Sequence, residues 1–123
     1  MATKLSLQEV EDLTRRALTA SGLSPESAES VTKSVVASEA DGIHSHGLAR
    51  LPTYCEHARC GKIDGKAEPT AERLKPGVLR VDARDGFAHP AIDLGLEHLP
   101  GMAREAGLAA LAVTNSYNCG VVG

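Results

Sequence analysis

The sequence predicts a mixed α/β chain, a helical N-terminal segment followed by an α/β part. Three observations carry that prediction. Up to Arg59, apolar residues recur at helical spacing behind recognisable capping residues. From Val78 to Thr114 the pattern reads strand, helix, strand, as in a βαβ-like unit. Between them, residues 62–76 are polar and carry neither pattern.

The first helix opens at Ser6. Glu9 stands three residues on, so the two form a capping box, and Leu7, Val10, Leu13, Ala17 and Leu18 follow at helical spacing. Gly22 ends it. The second helix has Ser24 as its cap, Pro25 in its first turn and Glu26 to complement the dipole. Ala28, Val31 and Val35 form its buried stripe, with Val36 and Ala40 on the flank, and Gly42 closes it. A third helix is expected from about Leu48 to Arg59, with Pro52 limiting how early it begins. Gly61 to Gly65 reads as a turn, and the stretch to Pro76 as extended linker.

Val78 to Asp82 alternates like a strand, and Ala83 to Gly86 reads as a turn. A helix is expected from about Pro90 to Ala106, kinked or split at Pro100-Gly101 and capped by Gly107. The apolar run Leu108 to Thr114 predicts a buried strand. No internal repeat or low-complexity segment interrupts the chain. The division is drawn as 1–65, helical, and 66–123, the start of an α/β domain.

The 123 residues carry 13 Lys+Arg against 16 Asp+Glu, a net charge of −3. This mild acidity argues against nucleic-acid binding and against an anionic membrane surface. No apolar run approaches the roughly 18–20 residues of a membrane span. The N-terminus lacks a secretory pattern. A cytoplasmic protein is expected, with no nucleic-acid or membrane partner. With Phe87, Tyr54 and Tyr117 as the only aromatics, the core must be mainly aliphatic. The apolar end, Cys119 to Gly123, lacks a polar tail, so the chain is expected to be part of a longer one.

Cys55, Cys60 and Cys119 are odd in number and cannot all pair within the chain. Cys55 and Cys60 have the wide end of zinc-ligand spacing, but no matching second pair follows, so they read as reduced thiols. His44-x-His46 permits a metal site, which no downstream carboxylate supports; no metal is expected.

The densest polar cluster is Asp41-Gly-Ile-His-Ser-His-Gly-Leu-Ala-Arg-Leu-Pro-Thr-Tyr54. Histidine is the natural general base near neutral pH, and arginine grips a carboxylate through two parallel hydrogen bonds. If the third helix began near His46, then Arg50 and Tyr54 would follow at steps of four on one face. A base would then stand beside an anion clamp, with a phenol at the edge. A surface histidine and a solvated arginine are the plainer alternative.

This cluster resembles the signature of the malate/L-lactate dehydrogenase family, the non-Rossmann NAD(P)-dependent 2-hydroxyacid oxidoreductases. Gly61-Lys-Ile-Asp64, Val81 to Phe87, Ala103 to Leu108 and Ala112 to Ser116 follow in family order. The resemblance implies a non-Rossmann α/β cofactor-binding domain after the helical segment, and the chain lacks a Gly-x-Gly-x-x-Gly run. It implies hydride transfer between NAD or NADP and a small 2-hydroxy or 2-oxo acid such as malate, lactate or sulfolactate. A cyclic imino acid reductase of the same family is the alternative; a non-catalytic chain is the rival. By resemblance, His46 is catalytic, Arg50 binds the substrate carboxylate, Ser45 and Tyr54 shape the site, and the protein is a homodimer with the site near its interface. The 123 residues alone are expected to be inactive.

Two departures stand out. Asn118 occupies a place where the family often has a histidine, and an amide does not titrate near neutral pH. Either His46 carries proton transfer alone, or Tyr117, Cys119 or His89 replaces the missing group. His44 stands where an Asp is frequent. His89 either lines the site or caps the next helix. His57 and His98 read as surface residues.

Overall fold

A computed structural model describes residues 2–119. Helix α1 spans Leu7–Ala20, and its capping box is formed in both directions: Ser6 Oγ accepts the Glu9 N–H, and Glu9 accepts the Ser6 N–H at 2.7 Å. Helix α2 spans Pro25–Ala40 behind Ser24, whose hydroxyl accepts the Ser27 N–H. Val31, Val35 and Leu18 bury fully between α1, α2 and the third helix.

The chain then makes two single 3₁₀ turns, His44–His46 and Leu48–Arg50, before α3, Leu51–Arg59. Pro52 fixes that start. It sits in the first turn of α3, where its missing N–H costs nothing.

The polar stretch read as linker contains a strand. β1, Thr70–Lys75, pairs antiparallel with β2, Val78–Asp82, placing Glu72 opposite Arg80 in a cross-strand ion pair. Every residue of β1 is exposed, so no apolar alternation marks it in the sequence. β2 leads through Arg84 and Asp85, both at positive φ, into α4, Ala88–Ala106, and β3, Ala110–Thr114, returns parallel to β2. The sheet order is β1-β2-β3.

Helix α4 runs unbroken through Pro100 and Gly101. Both are exposed, while Ala91, Gly95 and Met102 on the other side bury. Gly95 permits the close approach to β3: a Cβ there would stand 2.5 Å from Leu111 Cδ2. The expectation that β3 is buried does not hold. It is the sheet's outer strand in the described residues, with Ala110 and Ala112 exposed.

Two apolar clusters result. One lies among the helices and one under the sheet, the latter built on Leu79, Val81, Ala83, Ala91 and Met102. Phe87, 2% exposed, enters the helical cluster from the far side of the sheet turn, so that cluster draws on both halves of the chain. Burying one such ring contributes about 2–3 kcal/mol. Among the described residues, no helix is long and apolar enough to cross a membrane.

Candidate active site

The site is built on the loop between α2 and α3. Local backbone bonds shape it: His46 N–H donates to Ile43 O at 3.0 Å, Gly47 N–H to His44 O at 3.2 Å, and Arg50 N–H to Gly47 O at 3.0 Å. Ile43 N–H reaches back to Ser38 O at 2.8 Å, tying the loop to the end of α2.

Glu39 makes a second tie. Its Oε1 accepts the Leu48 N–H at 2.7 Å, and its Oε2 lies 2.5 Å from His44 Nδ1. The Leu48 N–H, foremost, and the His44 ring hold the Glu39 carboxyl below the usual carboxylate range, against partial burial. Gly47 lies against this side chain: a Cβ there would stand 2.3 Å from Oε1.

Ser45 and His46 are brought together, with Ser45 Oγ 3.0 Å from His46 Nδ1. His46 and Arg50 are both half-buried. The expected shared helical face of His46, Arg50 and Tyr54 does not form. Gly47, at φ −93° and ψ −129°, breaks the path between the two 3₁₀ turns, and Pro52 delays α3 to Leu51.

Tyr54 is 4% exposed and belongs to the core rather than to an edge. Its ring meets Phe87, Tyr117 and His89 at centroid distances of 5.3, 6.1 and 6.4 Å. Burial pushes the Tyr54 phenol up, and the nearby Arg50 charge opposes this. Tyr54 is thus the hub of the aromatic cluster.

His89 is 5% exposed in the first turn of α4. Burial lowers its pKa, with Asp93 opposing, and its Nδ1 has no partner among the described residues. It does not cap α4, since Phe87 occupies the N-cap without a side-chain bond. It lines a cleft of about 430 Å³ between α2 and α4, with Ser30, Lys33, Asp41, Ile43 and Asp93. Ser30 Oγ donates to Asp93 Oδ2 at 2.5 Å across that cleft. His46, Arg50 and Tyr54 do not line it.

His57, read as a surface residue, is half-buried, and its Nδ1 lies 2.8 Å from Tyr117 Oη. The segment after β3 returns to the core through this contact and through the Tyr117 N–H, which donates to Gly86 O at 2.9 Å. His98 is exposed, as expected. Asn118 is exposed beside Tyr117. Cys119 is half-buried and influences the Tyr54 phenol, whereas Cys55 is buried and Cys60 exposed. Gly120–Gly123, which end the apolar terminus and the Asn115 to Gly120 run, lie outside the described residues.

Sequence reasoning missed Glu39. Its signal was a carboxylate in the last turn of α2, where the helix dipole disfavours one unless it is paired.

Comparison with known proteins finds relatives of this chain. The profile described as malate/L-lactate dehydrogenase matches residues 5–123. A Delta(1)-pyrroline-2-carboxylate reductase from Ancylobacter novellus is 45% identical over 115 residues, 94% of this chain and 34% of its own length. A (2R)-3-sulfolactate dehydrogenase (NADP(+)) from Chromohalobacter salexigens is 43% identical over 123 residues, 100% of this chain and 37% of its own. The crystal structure of delta1-piperideine-2-carboxylate reductase from Pseudomonas syringae superposes with a TM-score of 0.89 at 38% identity, covering 94% of this chain and 35% of that one. The chain spans about a third of the length of the relatives it matches.

Proposed function

The chain belongs to the malate/L-lactate dehydrogenase family, and from that membership we propose that its site serves hydride transfer between NAD or NADP and a small 2-hydroxy or 2-oxo acid such as malate, lactate or sulfolactate. The observation that carries this reading is the Ser45–His46 pair on a clamped loop, one turn before Arg50.

Oxidising an alcohol at C2 needs a group to take the hydroxyl proton and a cation to hold the acid's carboxylate. His46 takes the first role and Arg50 the second. A serine hydroxyl both donates and accepts, so Ser45 supports either tautomer of His46. With Nδ1–H donating to Ser45 Oγ, the neutral ring takes a proton at Nε2; the imidazolium so formed keeps the Nδ1–H bond to Ser45 and gives the Nε2 proton back in the reverse direction. Tyr54, whose buried phenol feels the Arg50 charge, shapes the site from behind. Asn118 is assigned to the site as a hydrogen-bonding residue, and His89 to the substrate's surroundings.

The nicotinamide, when bound, accepts or gives the hydride. The strand–turn–helix from β2 to α4 does not fit the dinucleotide: β2 ends on Asp82, the turn carries Asp85, and the buried Phe87 stands at the helix N-terminus.

A second reading, reduction of a cyclic imino acid, is favoured by the 45% identity to a pyrroline-carboxylate reductase. There His46 delivers the proton and Arg50 holds the same carboxylate. A dimer with its site near the interface, cytoplasmic location, and a division at 65/66 belong to this proposal.

The test is reduction of NAD+ and NADP+ by the complete gene product with malate, lactate and sulfolactate, and oxidation of NADH and NADPH with the corresponding 2-oxo acids and with Delta(1)-pyrroline-2-carboxylate, with sedimentation for the dimer. At least one acid should turn over, and His46→Ala should lower kcat by about a hundredfold or more. Absence of turnover with all of them overturns the proposal.

A further inference from the structure

We infer that Glu39 is the positioning residue of this site: by gripping the loop at His44 and at Leu48, it sets where His46 stands. The kinetic consequence rests on the dehydrogenase reading; the geometry does not.

His46 lies midway between the two points that Glu39 holds. The bonds among residues 43–50 are local and give the loop its shape. Leu48 packs against the apolar cluster that includes Val31 and Val35 of α2, and among the described residues the hydrogen bonds that place residues 43–50 against α2 are the Ile43–Ser38 backbone bond and those to the two Glu39 oxygens. The two prongs differ in strength. The Glu39 side chain is 15% exposed, and a carboxylate accepting a backbone N–H is a charge-assisted bond. The His44 side chain is 72% exposed, so its pair with Glu39 contributes little on its own. The Leu48 prong therefore dominates.

Gly47 completes the clamp. It adjoins His46 and leaves the space that the Glu39 carboxylate occupies. Any side chain at position 47 displaces either Glu39 or the backbone that carries His46.

The experiment compares Glu39→Ala, Glu39→Gln and Gly47→Ala in the complete gene product. It reads kcat and KM with the acid and nicotinamide cofactor that the parent turns over best in the test above, thermal midpoint, and hydrogen exchange at the Leu48 amide. Displacing a catalytic group by about an ångström costs up to about a hundredfold, so Glu39→Ala should lower kcat by about thirtyfold. KM should stay within about threefold, as expected when ground-state binding is spared. Gln keeps an oxygen for the Leu48 N–H and should restore kcat to within about fivefold of the parent. Gly47→Ala should resemble Glu39→Ala. Unchanged kcat in Glu39→Ala, or Gln as impaired as Ala, overturns the inference. If Glu39→Ala does not fold, Glu39→Gln decides alone, and a loss beyond about tenfold overturns it. If the parent turns over none of the acids, the dehydrogenase reading falls. Glu39 is then judged by the Leu48 amide: exchange about tenfold faster in Glu39→Ala upholds the clamp, and unchanged exchange overturns it.

Discussion

The Ser45 hydroxyl stands 3.0 Å from Nδ1 of His46, so the residue beside the proposed acid–base group fixes its ring. Ser45→Ala removes the partner of Nδ1 and leaves the ring free to turn. Its expected effect is a kcat lowered by about three- to thirtyfold at near-constant KM. Steady-state kinetics across pH checks this, and a rise in KM alone would move Ser45 from orienting His46 to holding substrate.

Arg50 ends the second 3₁₀ turn and leads into α3. Arg50→Lys keeps the charge but loses the planar fork, so KM for the acid should rise by about tenfold with kcat less affected. A kcat loss at unchanged KM would argue against carboxylate binding by this residue.

His89 makes folding stability depend on pH. Its folded pKa lies below its ordinary value of 6.5 because the ring is buried. Between those two values the unfolded chain binds more protons than the folded one, so stability falls as pH falls through that window. The thermal midpoint should therefore drop from about pH 7 to about pH 5, and drop less in His89→Gln. Equal drops in both proteins would place the acid sensitivity elsewhere.

Thr32 is fully buried in α2, and its hydroxyl has no partner among the described residues. Thr32→Val keeps the shape and removes the unpaired group, which should stabilise the fold by about 1 kcal/mol. Thermal or denaturant unfolding reads this directly; a loss of stability would mean that the hydroxyl is satisfied.

The starts of α1 and α2 were legible because their signals are local. Ser6 with Glu9, and Ser24 with Pro25, fix their helices through neighbours within three residues. What escaped depends on distant partners. β1 has no apolar face, and only its pairing with β2 makes it a strand. His57 looked solvated until Tyr117, sixty residues on, supplied its partner. In the site, the residue types at positions 45, 46 and 50 were readable. Their arrangement was not, because Gly47 and Pro52 replace one helix by two tight turns and a late start.

All three aromatic residues of the chain lie in one cluster: Tyr54, Phe87 and Tyr117 meet with centroid distances of 5.3–6.1 Å. Within these 123 residues, which hold no tryptophan, tyrosine emission arises from Tyr54 and Tyr117, and the aromatic near-ultraviolet dichroism comes from this one place. This stretch thus carries a built-in optical reporter where α3, the turn into α4 and the segment after β3 converge. Undocking of that segment would register in these spectra while the far-ultraviolet helix signal stayed unchanged.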